Sequence, residues 1–280
     1  MIIPHPSSLL LNLVDNRDSI DNFLRTLPSL FSSTRDVDTC TGNALHFAAK
    51  LIQDCGGMLC LVQSSLPSMG PAKLKPREVS SMLGSDSEKD LLVPAGTFFP
   101  EISRELVAKQ ITVHCFLGAT SPCDVSSIGS LCSGTGGQLF YYPSFHVSTR
   151  WREVMCGDVH HVLSRETGFE AMYRVRVPSG SRVASFHGSF CLSNTDLMVS
   201  PVWHADETVT LGIEIENTLH LPAFPIQGAL LYTNCKGERR IRVHTVMIPI
   251  SNILSHIFLR VHQDVIAALL LQDGMFWRGW

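Results

Sequence analysis

The 280-residue sequence predicts an α/β unit, then an all-β unit, then a closing helical segment. Between Asp18 and Tyr142, helical periodicities alternate with short apolar runs, the spacing of a largely parallel sheet covered by helices. Between Phe169 and Met247, short β-branched and aromatic runs follow one another between turn residues, as in an antiparallel sandwich or barrel. Composition agrees: 45% hydrophobic and 17% charged residues supply a real core and argue against disorder.

The first helix is predicted from a cap at Asp18 or Ser19, after Pro4, Pro6 and an apolar run. Ile20, Phe23, Leu24, Leu27, Leu30 and Phe31 share one side, and Pro28 is expected to kink the helix or split off its last turn. A second helix starts at Thr41 with Ala44, Leu45, Ala48, Leu51 and Ile52 as its buried stripe. Cys55-Gly56-Gly57 ends it, and MLCLVQSS (58–65) reads as a buried strand. Residues 68–92, rich in Ser, Gly and Pro, read as a long surface loop. A third helix spans about Pro100 to Lys109, and ITVHCFLG (111–118) is the next strand. Asp124 caps a helix through Leu131, Gly134 to Gly137 turns, and QLFYY (138–142) completes the sheet.

After His146 one helix is expected near Trp151 to Arg165. Strands follow at Phe169–Val177, Val183–Leu192, Thr208–Glu216, Gln227–Thr233 and Arg239–Met247. A last helix starts after Pro249 and runs to Leu271. Its tail, GMFWRGW, fits neither a cap nor an amphipathic pattern, and the sequence contains no internal repeat.

Several function classes are disfavoured. The net charge of −3 argues against general nucleic-acid binding, so any basic function must be local. The nine cysteines are odd in number and irregularly spaced, which suggests reduced, buried thiols rather than a disulfide framework. No CxxC pair exists, and Cys156 with His160 supplies only two ligands on one helix face, too few for zinc. GTGGQ (134–138) has glycines before a strand, the reverse of a phosphate cradle, and reads as a helix C-cap. Asp124, Ser126 and Ser127 resemble the DxSxS metal motif of von Willebrand A domains, but Ile128 occupies the fifth position and Asp is an ordinary cap there. No Cys/His or Ser/His pair has a supporting signature, so no enzyme and no catalytic residue is expected. The start lacks a signal peptide, and His256, Arg260, His262, Gln263 and Asp264 interrupt the last apolar stretch too often for a membrane span.

One segment stands out: KGERRIRVHT (236–245) carries four basic residues against a single Glu238. Strand alternation puts Arg240 and Arg242 on one face, and Arg239, Ile241 and Val243 on the other. Two guanidiniums about 7 Å apart suit a short acidic peptide. A solvated edge strand that uses charge against aggregation would read the same way.

The ordered words LPSLFSSTR (27–35), LPSMG (66–70), TGGQLFYYPSFH (135–146), GFEAMYRVR (168–176), FHGSFCLSNTDLM (186–198) and ALLYTNCKGERRIRVHT (229–245) resemble the Sec24 family, the cargo-binding subunit of the COPII inner coat. The resemblance runs from about Leu9 to about Leu271. It implies an incomplete von Willebrand A-like trunk at 1–150, an antiparallel β-sandwich at 151–250, and the start of a helical domain with an atypical tail at 251–280.

The resemblance also implies that Arg240 and Arg242 hold acidic, DxE-like and LxxLE-like, export signals of membrane cargo, while Arg239 makes a structural ion pair. A planar guanidinium grips a carboxylate bidentately, which lysine does not. The implied partners are a Sec23-type sister subunit, met through the trunk, and the endoplasmic reticulum surface, reached through the coat. The implied location is the cytosolic face of that membrane and COPII vesicles. The family's zinc-ribbon cysteines, first trunk strands and further cargo-pocket arginines have no counterpart here. No cofactor and no metal is therefore expected in this chain, and the trunk sheet should expose an edge. The alternatives are the sister subunit, which stimulates the Sar-type GTPase, and a truncated copy without function.

Overall fold

The computed structural model describes residues 9–77, 79–120, 123–194, 196–217 and 222–277. Pro4, Pro6 and the tail residues 278–280 lie outside them. Helix α1 (Arg17–Phe31) contains Pro28 and continues to Phe31. Asn16 is its N-cap, without a side-chain cap bond, so neither Asp18 nor Ser19 caps it. The predicted apolar stripe is present, but no residue of α1 is buried.

Helix α2 (Thr41–Ile52) buries Leu45 and Ala49, whereas Ala44 is exposed and Ala48 is half-buried. The buried side is therefore narrower than the predicted stripe. Gly56, in the left-handed region at φ 65°, ends the segment, and its N–H donates to Ile52 O at 2.7 Å.

Strands β1 (Gly57–Gln63), β2 (Ile111–Ala119) and β3 (Leu139–Pro143) form a three-stranded parallel sheet in the order β1-β2-β3. The central strand β2 is buried along its whole length, as its continuous apolar run requires. The reading of β1 as a buried strand is corrected: Cys60 is exposed and Val62 is 63% exposed, and β1 is one of the two outer strands of this sheet. The expectation of buried cysteines is corrected too. Only Cys115 and Cys132 are buried, while Cys55, Cys60, Cys156 and Cys235 are exposed, although all nine are free thiols.

Between β1 and β2 the chain forms the short helix α3 (Val79–Met82), a 3-10 turn at Glu88–Leu91 and helix α4 (Phe98–Ala108). Helix α5 (Val125–Gly134) follows β2. Phe99, Ile102 and Leu106 of α4 and Ile128 and Leu131 of α5 pack with Val113 and Leu117 of β2 into the main core. Leu106 is fully buried, and truncating it to Ala would cost about 2–5 kcal/mol.

Asp124 caps α5 as predicted, accepting from Ser127 N at 3.1 Å. Its other oxygen accepts from Arg77 Nε at 2.8 Å and from Ser127 Oγ at 2.8 Å. A guanidinium thus neutralises the carboxylate that a metal would hold in a DxSxS site. Arg77 also donates to Asp90 O and, at 2.8 Å, to Val93 O, so one side chain ties down the segment over 68–92. The reading of that segment as a plain surface loop is corrected: it carries α3 and the 3-10 turn, and its Ala72 and Leu74 are buried in the main core.

Helix α6 (Trp151–Ser164) leads from this sheet into the β-rich part. Tyr142 of β3 donates its hydroxyl to Asp158 of α6 at 2.8 Å. The β-rich part comprises β4 (Thr167–Arg176), β5 (Ser181–His187), β6 (Cys191–Asn194), β7 (Leu197–His204), β8 (Thr210–Ile215), β9 (Ala223–Asn234) and β10 (Arg239–Pro249). A five-stranded antiparallel sheet has the order β10-β9-β4-β7-β6, and β5 pairs with β8.

Two strand readings need correction. The single strand expected over 183–192 is two strands, β5 and β6, broken at Gly188 with φ 156°. Strand β7 was not expected, and it carries Pro201, a residue that inner strands rarely hold. Pro201 falls between the pairs Phe169–Val202 and Ala171–Ser200, where the register of β4 against β7 is unbroken. On its other side β4 bulges against β9: Phe169 pairs with Thr233 and Met172 with Leu231, so β4 carries one extra residue there, and Glu170 in this bulge has φ 50°.

The closing helix is two helices, α7 (Leu254–Phe258) and α8 (Gln263–Trp277). The first four tail residues, Gly274–Trp277, are helical. No helix among the described residues is long and apolar enough to cross a membrane.

Candidate functional site

The hairpin joining β9 to β10 turns on Gly237, at φ 79°, where a left-handed conformation favours glycine. Asn234 organises the turn: its Oδ1 accepts from Lys236 N and Glu238 N, each at 2.9 Å. Its Nδ2 donates to Glu238 Oε2 at 2.9 Å. The turn sets the register, in which Arg240 lies opposite Tyr232, Arg242 opposite Leu230 and His244 opposite Gly228.

Arg240, Arg242 and His244 therefore share one face of β10, and all three are exposed. Arg239 faces the other way, where its Nη1 donates to Glu170 O at 3.0 Å, Glu170 Oε2 at 3.3 Å and Thr233 Oγ1 at 2.9 Å. Arg240 Nη2 contacts Glu238 Oε2. The Asn234 hydrogen bond, and after it this contact, hold the Glu238 carboxyl below its usual range. Arg242 Nη2 lies 4.0 Å from Glu166 Oε1.

Beside this face opens a cavity of about 390 Å³. Arg242 and His244 form part of its wall, together with Tyr173, Trp203, Leu230 and Tyr232. Glu166, His204 and Glu207 are its further ionisable lining groups. The Tyr173 and Trp203 rings meet at 5.2 Å between centroids. Gly168 and Gly228 leave room for the tyrosines: a Cβ on Gly168 would stand 2.5 Å from Tyr232 Cδ2, and one on Gly228 2.3 Å from Tyr173 Oη. Arg240 does not line the cavity, although its strand neighbour Tyr232 does.

Burial dominates the electrostatics of the inner wall. It pushes Glu207 up to about 7, partly opposed by the positive charge of Arg165. It pushes His204 down to about 4, with help from the same arginine. His204 Nε2 lies 3.1 Å from Glu207 Oε2, so two groups that favour their neutral forms face each other. Behind His204 sits the fully buried His114 of β2, also pushed down to about 4 by burial. The two imidazoles lie 6.4 Å apart and join the parallel sheet to the antiparallel one.

The other sequence candidates remain apart from this face. Cys156 and His160 are exposed on α6. No group of three or more His, Cys, Asp or Glu among the described residues could hold a metal. Gly134 is the last residue of α5 and Thr135 its C-cap, as the turn reading of GTGGQ expects.

The amino-acid sequence matches the Sec23/Sec24 trunk domain over residues 1–160 and the Sec23/Sec24 beta-sandwich domain over residues 168–251. The chain belongs to the Sec23/Sec24 family. Within it, the chain is 35% identical over 275 residues to mouse protein transport protein Sec24A, covering 96% of this chain and 25% of that protein. It is 34% identical over 270 residues to protein transport protein SEC24 of Dictyostelium discoideum, covering 96% of this chain and 27% of that protein. The crystal structure of the human COPII-coat protein Sec24c superposes with a TM-score of 0.82 at 30% identity, covering 88% of this chain and 34% of that one. The chain thus spans about a quarter of the length of the curated Sec24 relatives it matches.

In Sec23/Sec24 terms the parallel sheet lies in the trunk match, and β10 with both of its arginine faces lies in the sandwich match. Sequence reasoning missed Glu166, Glu207, Tyr173 and Trp203. The first two were single carboxylates without a motif; the tyrosine was an ordinary strand residue, and the tryptophan lay in a stretch not read as a strand. Only the register of β4, β7, β9 and β10 gathers them.

Proposed function

We propose that this chain is the trunk and sandwich portion of a COPII coat cargo adaptor, a non-enzymatic component of transport from the endoplasmic reticulum to the Golgi. Its part is to bind acidic export signals of membrane cargo through Arg240 and Arg242. The observation that carries this reading is the pair of exposed guanidiniums on one face of β10, in a chain of the Sec23/Sec24 family. The strand holds the two side chains in a fixed relation, and each fork presents parallel N–H donors to a carboxylate. The adjoining apolar wall of Tyr173, Trp203 and Leu230 suits a hydrophobic residue beside the acidic one.

In this reading the trunk pairs with a Sec23-type sister subunit. The assembled coat lies peripherally on the cytosolic face of the endoplasmic reticulum membrane, and the chain needs no cofactor or nucleic acid. The test is titration of a fluorescent peptide carrying Asp-X-Glu into the full chain and into the Arg240→Ala, Arg242→Ala double variant. Binding by the parent and its loss in the variant are expected. Equal binding by both would remove the site assignment.

A further inference from the structure

Both arginines of the proposed site already face a carboxylate of their own chain. Glu238, in the turn just before β10, is in contact with Arg240 two residues on. Asn234 Nδ2 holds Glu238 in place at 2.9 Å, so the turn itself positions this carboxylate. Arg242 has Glu166 at 4.0 Å, at the outer edge of ion-pair distance, and the two share the cavity wall. All four side chains are more than half exposed to solvent. Such pairs are weak and exchange readily.

We infer that Glu238 and Glu166 are built-in competitors that occupy Arg240 and Arg242 until the carboxylates of an acidic peptide displace them. The inference rests on the reading of these arginines as the signal-binding pair and assigns regulation of affinity to two further residues. Each internal carboxylate meets its arginine through a single contact, which leaves the bidentate arrangement to an incoming group. A peptide with two carboxylates one residue apart, in extended conformation, replaces both at once. A peptide with one acidic group replaces only one and gains less. Glu238, the closer and better anchored of the two, is the stronger competitor. The chain thereby selects doubly acidic segments over singly acidic ones and keeps its grip reversible.

The experiment titrates the Asp-X-Glu peptide, and the same peptide with Glu changed to Gln, into the full chain and three variants of equal charge change. Glu238→Gln and Glu166→Gln remove the competitors. Glu170→Gln removes a carboxylate that pairs with Arg239 on the opposite face. Glu238→Gln is expected to tighten binding about two- to fivefold and Glu166→Gln by a smaller factor, both effects shrinking as salt is raised. Glu170→Gln is expected to leave affinity unchanged. Thermal melting confirms that each variant is folded. Unchanged or weaker binding by Glu238→Gln and Glu166→Gln overturns the inference while leaving the arginine site standing, provided that the double arginine variant loses binding. Equal tightening by Glu170→Gln overturns it as well, since net charge alone then accounts for the gain. Absence of binding by the parent overturns this inference and the site reading together.

Discussion

Arg239 reaches past β9 to Glu170, donating from one nitrogen to both its carbonyl oxygen and its carboxylate, at 3.0 and 3.3 Å. The contact sits at the bulge of β4 against β9, where Glu170 is in the left-handed region at φ 50°. Three arginines within four residues thus divide into two that face the cavity side and one that fastens strand to strand.

Replacing Arg239 by Ala should therefore act on stability rather than on peptide binding. The pair is 38% and 59% exposed, so solvent screening keeps the cost under about 1 kcal/mol. Urea unfolding would read that small loss, and an Asp-X-Glu titration should give the parent affinity. A loss of affinity comparable to that of Arg242→Ala would contradict the division of the two faces.

Stability should fall on mild acidification. His114 and His204 are held neutral by burial, with folded values of about 4 against 6.5 for an ordinary imidazole. Their contribution is complete above 6.5 and is lost as pH falls toward 4, because the unfolded chain binds protons that the folded one refuses. About 1–3 kcal/mol per histidine is at stake. Glu207 acts in the opposite sense: raised to about 7, it contributes most below its ordinary value of 4.5, and that contribution disappears as pH rises through 7. Urea midpoints between pH 5 and 7 should therefore rise with pH in the parent, and rise more steeply in Glu207→Gln.

Arg77 should be costly to lose. Its guanidinium is 16% exposed and its partner Asp124 only 4%, so Arg77→Ala leaves a buried carboxylate without its counter-charge. Breaking such a pair costs about 3–5 kcal/mol. The loop over 68–92 also loses its ties at Asp90 O and Val93 O, so limited proteolysis should cut there first. Arg77→Lys should not restore protection, because one ammonium cannot span these acceptors. A variant with parent-like stability and an uncut loop would show that the clamp is dispensable.

Much of the fold was legible because periodicity and turn chemistry act locally. The run ITVHCFLG announced a strand, and Asp124 announced a helix cap. Strand β7 was not read from the sequence: its Pro201 is a residue that inner strands rarely hold, and the pairing with β4 that accommodates it joins stretches distant in sequence. Exposure was harder to read than secondary structure. The apolar stripe of α1 and the apolar run of β1 carried the pattern of buried elements, yet burial depends on what packs against them. The arginine face of β10 followed from alternation alone. Glu166 and Glu207 could not be placed beside it, since each lies next to the cavity only through pairings between strands distant in sequence.

The bulge at Glu170 also determines how this sheet would tolerate a change in length. Pairing registers with a period of two convert a one-residue deletion from an evenly paired strand into an exchange of faces. Losing Glu170 removes the extra residue of the bulge instead, so Tyr173 stays opposite Leu230 and on the face of the arginines. The slip of one residue would fall on the other side of the strand, in the pairing of β4 with β7.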